Sequence, residues 1–184
     1  KNKNYRAAVG CRAGVPALEA LMVKHYPVSS MRIPDQIRAD IFLDELAKWE
    51  KAGKAPDLSV FTMTSDHTLG TTPNNPTPAA MVADNDLALG RMVAGISKSR
   101  FWPQSLILVV EDDAQNGIDH VDGHRTVALA IGPHIRRNAL DSNFYTQTSM
   151  IRTIQEIFRI PPKTRYLAAA RPMTSIFQPK PEAT

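Results

Sequence analysis

The run Ser105–Val110 constrains this chain most: five apolar residues, Leu106, Ile107, Leu108, Val109 and Val110, stop abruptly at Glu111-Asp112-Asp113. A short continuous apolar run of this kind is expected of a strand covered on both faces, which is the strand type of α/β folds. Thr126–Ile131 repeats the character. Asp57–Thr64, rich in β-branched and aromatic residues after Pro56, reads as a further buried strand.

Helical periodicity fills the intervals. Ala39, Phe42, Leu43, Leu46 and Trp49 share one face of a helix that starts at Pro34-Asp35 and stops before Gly53. Residues 79–98 return to the same period with Val82, Leu89, Met92, Val93 and Ile96 inward, and Phe101–Pro103 closes the segment. Thr148–Phe158 follows through Met150, Ile151, Ile154, Ile157 and Phe158, and Pro161-Pro162 ends it. Between the first strand and the second long helix, Gly70–Pro78 carries three prolines and two asparagines and must be a loop. Residues 1–33 show no sustained period beyond a short helix near Ala17–Lys24. The expected architecture is α/β, a mostly parallel sheet with helices on both faces.

At 184 residues and 43% hydrophobic, the chain suits one domain or part of one, with the tail Gln178–Thr184 frayed. No run of about 18 apolar residues occurs, so no membrane span is expected. The formal charge of +4 is spread along the chain, and neither a zinc-finger spacing nor an RNP-like motif supports a nucleic-acid partner. Cys11 is the single cysteine, which excludes an internal disulfide and any thiolate metal cluster.

Three polar clusters follow the expected strands closely: Ser65-Asp66-His67-Thr68, Glu111-Asp112-Asp113, and Asp119-His120 through His124-Arg125. Ligands of open α/β sheets gather outside the carboxyl ends of strands. Consecutive carboxylates repel one another and need a cation or full solvation. Aspartate with imidazole suits zinc, manganese or iron better than the all-oxygen shells of calcium and magnesium. Two such ions can stabilise both the attacking and the leaving oxygen of a phosphoryl transfer. Each cluster also has a plain structural alternative. Asp66-His67 reads equally as a turn or helix-cap pair, and the four-residue spacing of His120 and His124 suggests a helix while Gly123 between them suggests a loop. His25 and His134 fall outside the clusters and read as ordinary surface or core residues. No G-x-S-x-G elbow, P-loop or G-x-G-x-x-G is present. Thr64, Ser65 and Thr68 are read as hydrogen-bonding groups.

Taken together, Asp66-His67-Thr68-Leu69-Gly70, Pro76-Thr77-Pro78, Met81 through Gly90 with its Asp84-Asn85-Asp86, Glu111 through Gln115, Asp119-His120-Val121 and Thr148 through Thr153 resemble the bacterial phosphoesterases of phospholipase C and acid phosphatase type, in the alkaline phosphatase superfamily. The resemblance runs from about Asp35 to Phe177. It implies an alkaline-phosphatase-like domain that hydrolyses phosphoesters with two divalent metals, and an exported, periplasmic or secreted protein. It implies metal ligation by Asp66, His67, Asp112, Asp113 and His120, and contact of His124 and Arg125 with substrate phosphate. The early acidic ligand and the Ser or Thr nucleophile of the family are not recognisable in residues 1–33. With the start at Lys1, this leads to the expectation of a partial domain whose catalytic nucleophile and first segment are missing from the chain, so that the parent protein is the phosphoester hydrolase and the chain alone turns over little or nothing. Two alternatives stay open: a non-catalytic cation-binding or interaction domain that uses loop 71–78, and a sulfatase or phosphonate hydrolase of the same superfamily.

Overall fold

The computed structural model describes residues 13–113 and 125–181, which divide into two compact units at Phe101/Trp102.

In the first unit, α1 (Pro16–Glu19) precedes the long helix α2 (Asp35–Ala52). Pro34 sits at the N-cap, and Gly53 closes α2 in the left-handed region at φ 69°, where only glycine is unstrained. Helix α3 (Pro78–Ser97) starts on Thr77, whose side-chain oxygen accepts from Ala80 N–H, with proline in the first turn. Ala39, Phe42 and Leu46 of α2 pack on Ala88 and Met92 of α3, flanked by Leu43, Trp49, Phe61, Met63, Ile96 and Phe101. The rings of Trp49 and Phe61 meet Phe42 edge-on at centroid distances of 5.9 and 4.8 Å, the geometry that the ring quadrupoles favour. A Cβ at Gly95 would come within 2.5 Å of Leu43 Cδ2, so the missing side chain is what lets α3 approach α2.

The expected strand Asp57–Thr64 is not one. Phe61 and Met63 turn inward while Val60 and Thr62 are exposed, the period of two that an extended chain gives. No described backbone pairs with it in a ladder, and a strand exists only as a pair. Side chains hold it instead: Phe61 and Met63 reach the core, and Tyr26 Oη donates to Thr62 O at 2.9 Å. Burial pushes the Tyr26 phenol up to about 12, against a smaller lowering by the Arg38 charge. The neutral phenol is therefore favoured by folding, so its stabilisation is complete below pH ~10 and is lost as pH rises towards ~12. Urea unfolding at about pH 8 and 11.5 should show a drop in midpoint for the native protein and a smaller one for Tyr26→Phe.

In the second unit, a 3₁₀ turn (Trp102–Gln104) leads into β1 (Ile107–Val110). β1 pairs antiparallel with β2 (Ala128–Ile131), Ile107 opposite Ile131 and Val110 opposite Ala128. Among the described residues this two-stranded antiparallel ladder is the whole sheet, in place of the mostly parallel sheet expected. The apolar runs identified both strands, but a run carries no information on strand direction. Helix α4 (Gln147–Ile157), the short α5 (Arg165–Ala169) and a 3₁₀ turn (Thr174–Ile176) complete the unit. Ile135, Met173 and Ile176 form its core with Leu106, Leu108, Ala130, Tyr145, Met150 and Phe177 around them.

Helix α4 departs from expectation in the face it buries. Met150 packs on the core, but Ile151, Ile157 and Phe158 are exposed, whereas Ser149, Thr153 and Gln155 are buried. For Thr153 hydrogen bonding decides this, since its Oγ1 donates to Ser149 O and accepts from Met173 N–H, each at 2.8 Å, whereas buried Gln155 Oε1 finds no partner among the described residues. On α3, Val82 is likewise exposed, and Met81 takes the inward position. The tail is tied at Gln178, whose N–H donates to His134 O at 2.9 Å and whose side chain donates to Pro133 O.

Candidate functional site

The first cluster sits on a 3₁₀ turn, Ser65–His67, between the extended segment and the proline-rich loop. Its anchor is a fully buried ion pair at the start of α2. Asp35 and Arg38 are 0% and 1% exposed and meet at 2.9 Å. The other Nη hydrogens of Arg38 go to the carbonyls of Val28, Ser30 and Ile33, which fixes the chain that leads into the helix. Asp35 Oδ1 accepts from Arg38 and Thr64 N–H, and Oδ2 from Ser65 N–H and Asn85 Nδ2. Four donors match the roughly four lone-pair sites of a carboxylate.

Helix α3 completes the junction. Asp84 Oδ2 accepts from Asp35 N–H at 2.6 Å, a negative charge on the positive end of α2, and from Ser65 Oγ at 3.0 Å. Asn85 Nδ2, besides its bond to Asp35, lies 3.3 Å from Asp66 Oδ1. Asp66 is half-buried and His67 is exposed. With Nδ1 protonated, His67 makes a long contact of 3.4 Å to Thr68 O, which leaves Nε2 facing away from that partner. A ring nitrogen on a backbone carbonyl is the usual outer partner of a metal-bound histidine.

Ser65 is 2% exposed and its hydroxyl belongs to Asp84, so it is a structural group rather than a nucleophile. Thr68 Oγ1 accepts from Gly70 N–H. Both fit the hydrogen-bonding roles expected of them, but buried Thr64 Oγ1 finds no partner among the described residues. Thr68 has φ 60° and ψ 177°, a backbone conformation that is essentially reserved for glycine and costs of order 1–3 kcal/mol. Such strain collects where a turn must hold a set geometry. Thr68→Gly is expected to raise unfolding stability by about 1 kcal/mol, after the added freedom of the unfolded chain is counted; chemical denaturation checks it.

The second cluster leaves the C-terminal end of β1. Asp112 and Asp113 are exposed, Asp112 O accepts from the Gln147 side chain, and Asp112 Oδ1 accepts from Asp113 N–H at 3.1 Å. Because the ladder is antiparallel, Arg125 enters β2 from that same end, and Glu111 N–H bonds Val127 O at 3.1 Å between the two stems. The carboxylates and the guanidinium are thus carried by adjacent strand ends. His120 and His124 lie outside the described residues. At the opposite end of β1, Gln104, Leu106, His134, Ile135 and Phe177 line a cleft of about 280 Å³ with no concentration of carboxylates.

The structure therefore brings Asp66 and His67 together in one unit and Asp112, Asp113 and Arg125 together in the other. Among the described residues, no three His, Cys, Asp or Glu side chains gather as a ready metal cage. The donor chemistry of each cluster nevertheless suits a divalent cation: a carboxylate steadied by an amide beside an exposed imidazole, and paired exposed carboxylates. None of Asp35, Arg38, Asp84 or Asn85 stands out in the sequence as a site residue. A signal existed, since Asp84 and Asn85 fall at helical spacing between Met81 and Ala88, on the buried stripe of α3.

These features sit within a class of phosphoester hydrolases. The phosphoesterase family model matches residues 20–161, more than three-quarters of the chain, and the chain belongs to that family. No curated protein and no solved structure matches it. No helix among the described residues is long and apolar enough to cross a membrane.

Proposed function

We propose that the protein hydrolyses phosphoesters with the help of two divalent metal ions, zinc, manganese or iron, held by Asp66, His67, Asp112, Asp113 and His120. The observation that carries this reading is the turn Ser65–His67. A buried ion pair, two α3 side chains and a strained backbone at Thr68 are spent on holding one carboxylate and one imidazole at the surface. A plain turn or cap pair has no need of that support. Bound metal would supply Lewis acidity towards a phosphoryl oxygen and charge stabilisation of the in-line transition state. Arg125, with His124, would grip the phosphate oxygens, as a guanidinium fork does. The nucleophile is assigned to none of these residues, since Ser65 is enclosed.

The β1–β2 ladder is read as the antiparallel margin of a larger, mostly parallel sheet of alkaline phosphatase type. In support, Val110, Val127 and Leu129 are exposed although their runs are composed for burial. Export to the periplasm or beyond is part of the same proposal and follows the family resemblance. A substrate panel, run on a form of the protein that carries the family's Ser or Thr nucleophile, tests the chemistry: p-nitrophenyl phosphate or its bis ester should be turned over in preference to p-nitrophenyl sulfate and a phosphonate ester. Preference for the sulfate would move the protein to the sulfatase alternative, and no turnover with retained metal would favour a cation-binding domain.

A further inference from the structure

Asn85 bonds both the buried anchor and the surface carboxylate. Its amide nitrogen has two hydrogens, one directed at Asp35 Oδ2 at 3.0 Å and one at Asp66 Oδ1 at 3.3 Å. Both acceptors are carboxylates, so the amide has one sensible orientation, nitrogen towards them and oxygen away. Asp35 is immobile, being 0% exposed and bonded to Arg38, Thr64 and Ser65. The rigidity of the α2 N-terminus is thereby passed through one amide to Asp66.

We propose that Asn85 is a positioning residue for metal binding: it fixes the carboxylate of Asp66 by bridging it to Asp35, and binds no metal itself. The inference rests on the reading of Asp66 as a ligand. An amide serves where other groups fail. Aspartate at 85 would place a third carboxylate against two others and lose both bonds. Serine offers one proton for two acceptors. Carboxylates that ligate metals depend on such outer hydrogen bonds, whose loss typically lowers metal affinity about 10–100-fold.

The test is Zn²⁺ titration calorimetry on the native protein, Asn85→Ala, Asn85→Ser, Asp66→Asn and the Asn85→Ala/Asp66→Asn double variant, with circular dichroism and thermal unfolding alongside. The expected result is a loss of Zn²⁺ affinity of about 10–100-fold for Asn85→Ala, a smaller loss for Asn85→Ser, and no additional loss when Asp66→Asn is already present. A merely structural role would shift the unfolding midpoint and weaken Zn²⁺ equally in either background, so additive losses would overturn the proposal. If Asp66→Asn weakens Zn²⁺ and the folded Asn85 variants do not, the positioning role falls while the metal site stands. If Asp66→Asn itself leaves Zn²⁺ binding unchanged, the ligand reading falls and the positioning role with it.

Discussion

Arg38→Met is expected to destabilise the protein by about 3–5 kcal/mol, the cost of leaving a buried charge without its partner. Asp35 is wholly enclosed, and Arg38 is the cation bonded to it. The same substitution frees the carbonyls of Val28, Ser30 and Ile33. In many proteins, replacing both members of a buried pair by apolar residues restores stability. Here it should not. An Asp35→Leu/Arg38→Met variant would strand the N–H groups of Thr64 and Ser65 and the amide of Asn85, each at about 1–3 kcal/mol. Asp35→Asn should fail similarly, because one amide oxygen cannot serve four donors. Denaturant unfolding of the three variants checks the set, and near-native stability of the double variant would show that the pair is an ordinary ion pair.

The second large effect is catalytic. In a form of the protein that carries the family's nucleophile, Asp112→Asn/Asp113→Asn is expected to lower phosphoester turnover about a thousandfold, since metal stabilisation of the transition state is worth several kcal/mol and each 1.36 kcal/mol is a factor of ten. Both residues are exposed and bear little packing, so surface substitution should move folding stability by no more than about 0.5 kcal/mol. Steady-state kinetics beside thermal unfolding separates the two. A large shift in the unfolding midpoint would mean that the loop organises the second unit rather than serving chemistry.

The sequence announced helices more fully than sheets, for a physical reason. In α2 and α3 the apolar period, the proline at the start and the glycine after α2 are local signals, and the elements span Asp35–Ala52 and Pro78–Ser97 close to expectation. Pairing is not local. Val60, Phe61 and Thr62 have strand composition, but only a paired backbone can make them a strand, and no such pairing is present among the described residues. The Thr148–Phe158 period identified a helix without stating which side would be covered, and Thr153 took the inward place through its bond to Met173. At the candidate site, Asp66, His67, Asp112 and Asp113 were visible because polar clusters broke off from apolar runs. The network beneath them was not. Asp35 reads as a helix-start residue and Asp84 and Asn85 as polar helix positions until the two helices are packed and their shared contact with Ser65 is seen.

The most direct measurement is metal content by elemental analysis, after the protein has been equilibrated with Zn²⁺ or Mn²⁺ and freed of excess ion, for the native sequence, Asp66→Asn and Asp112→Asn/Asp113→Asn. Two metals imply about two equivalents per chain in the native protein and a clear loss in each folded variant. A native protein that retains no metal, or variants that retain as much as the native chain, would contradict the assignment of these residues as ligands.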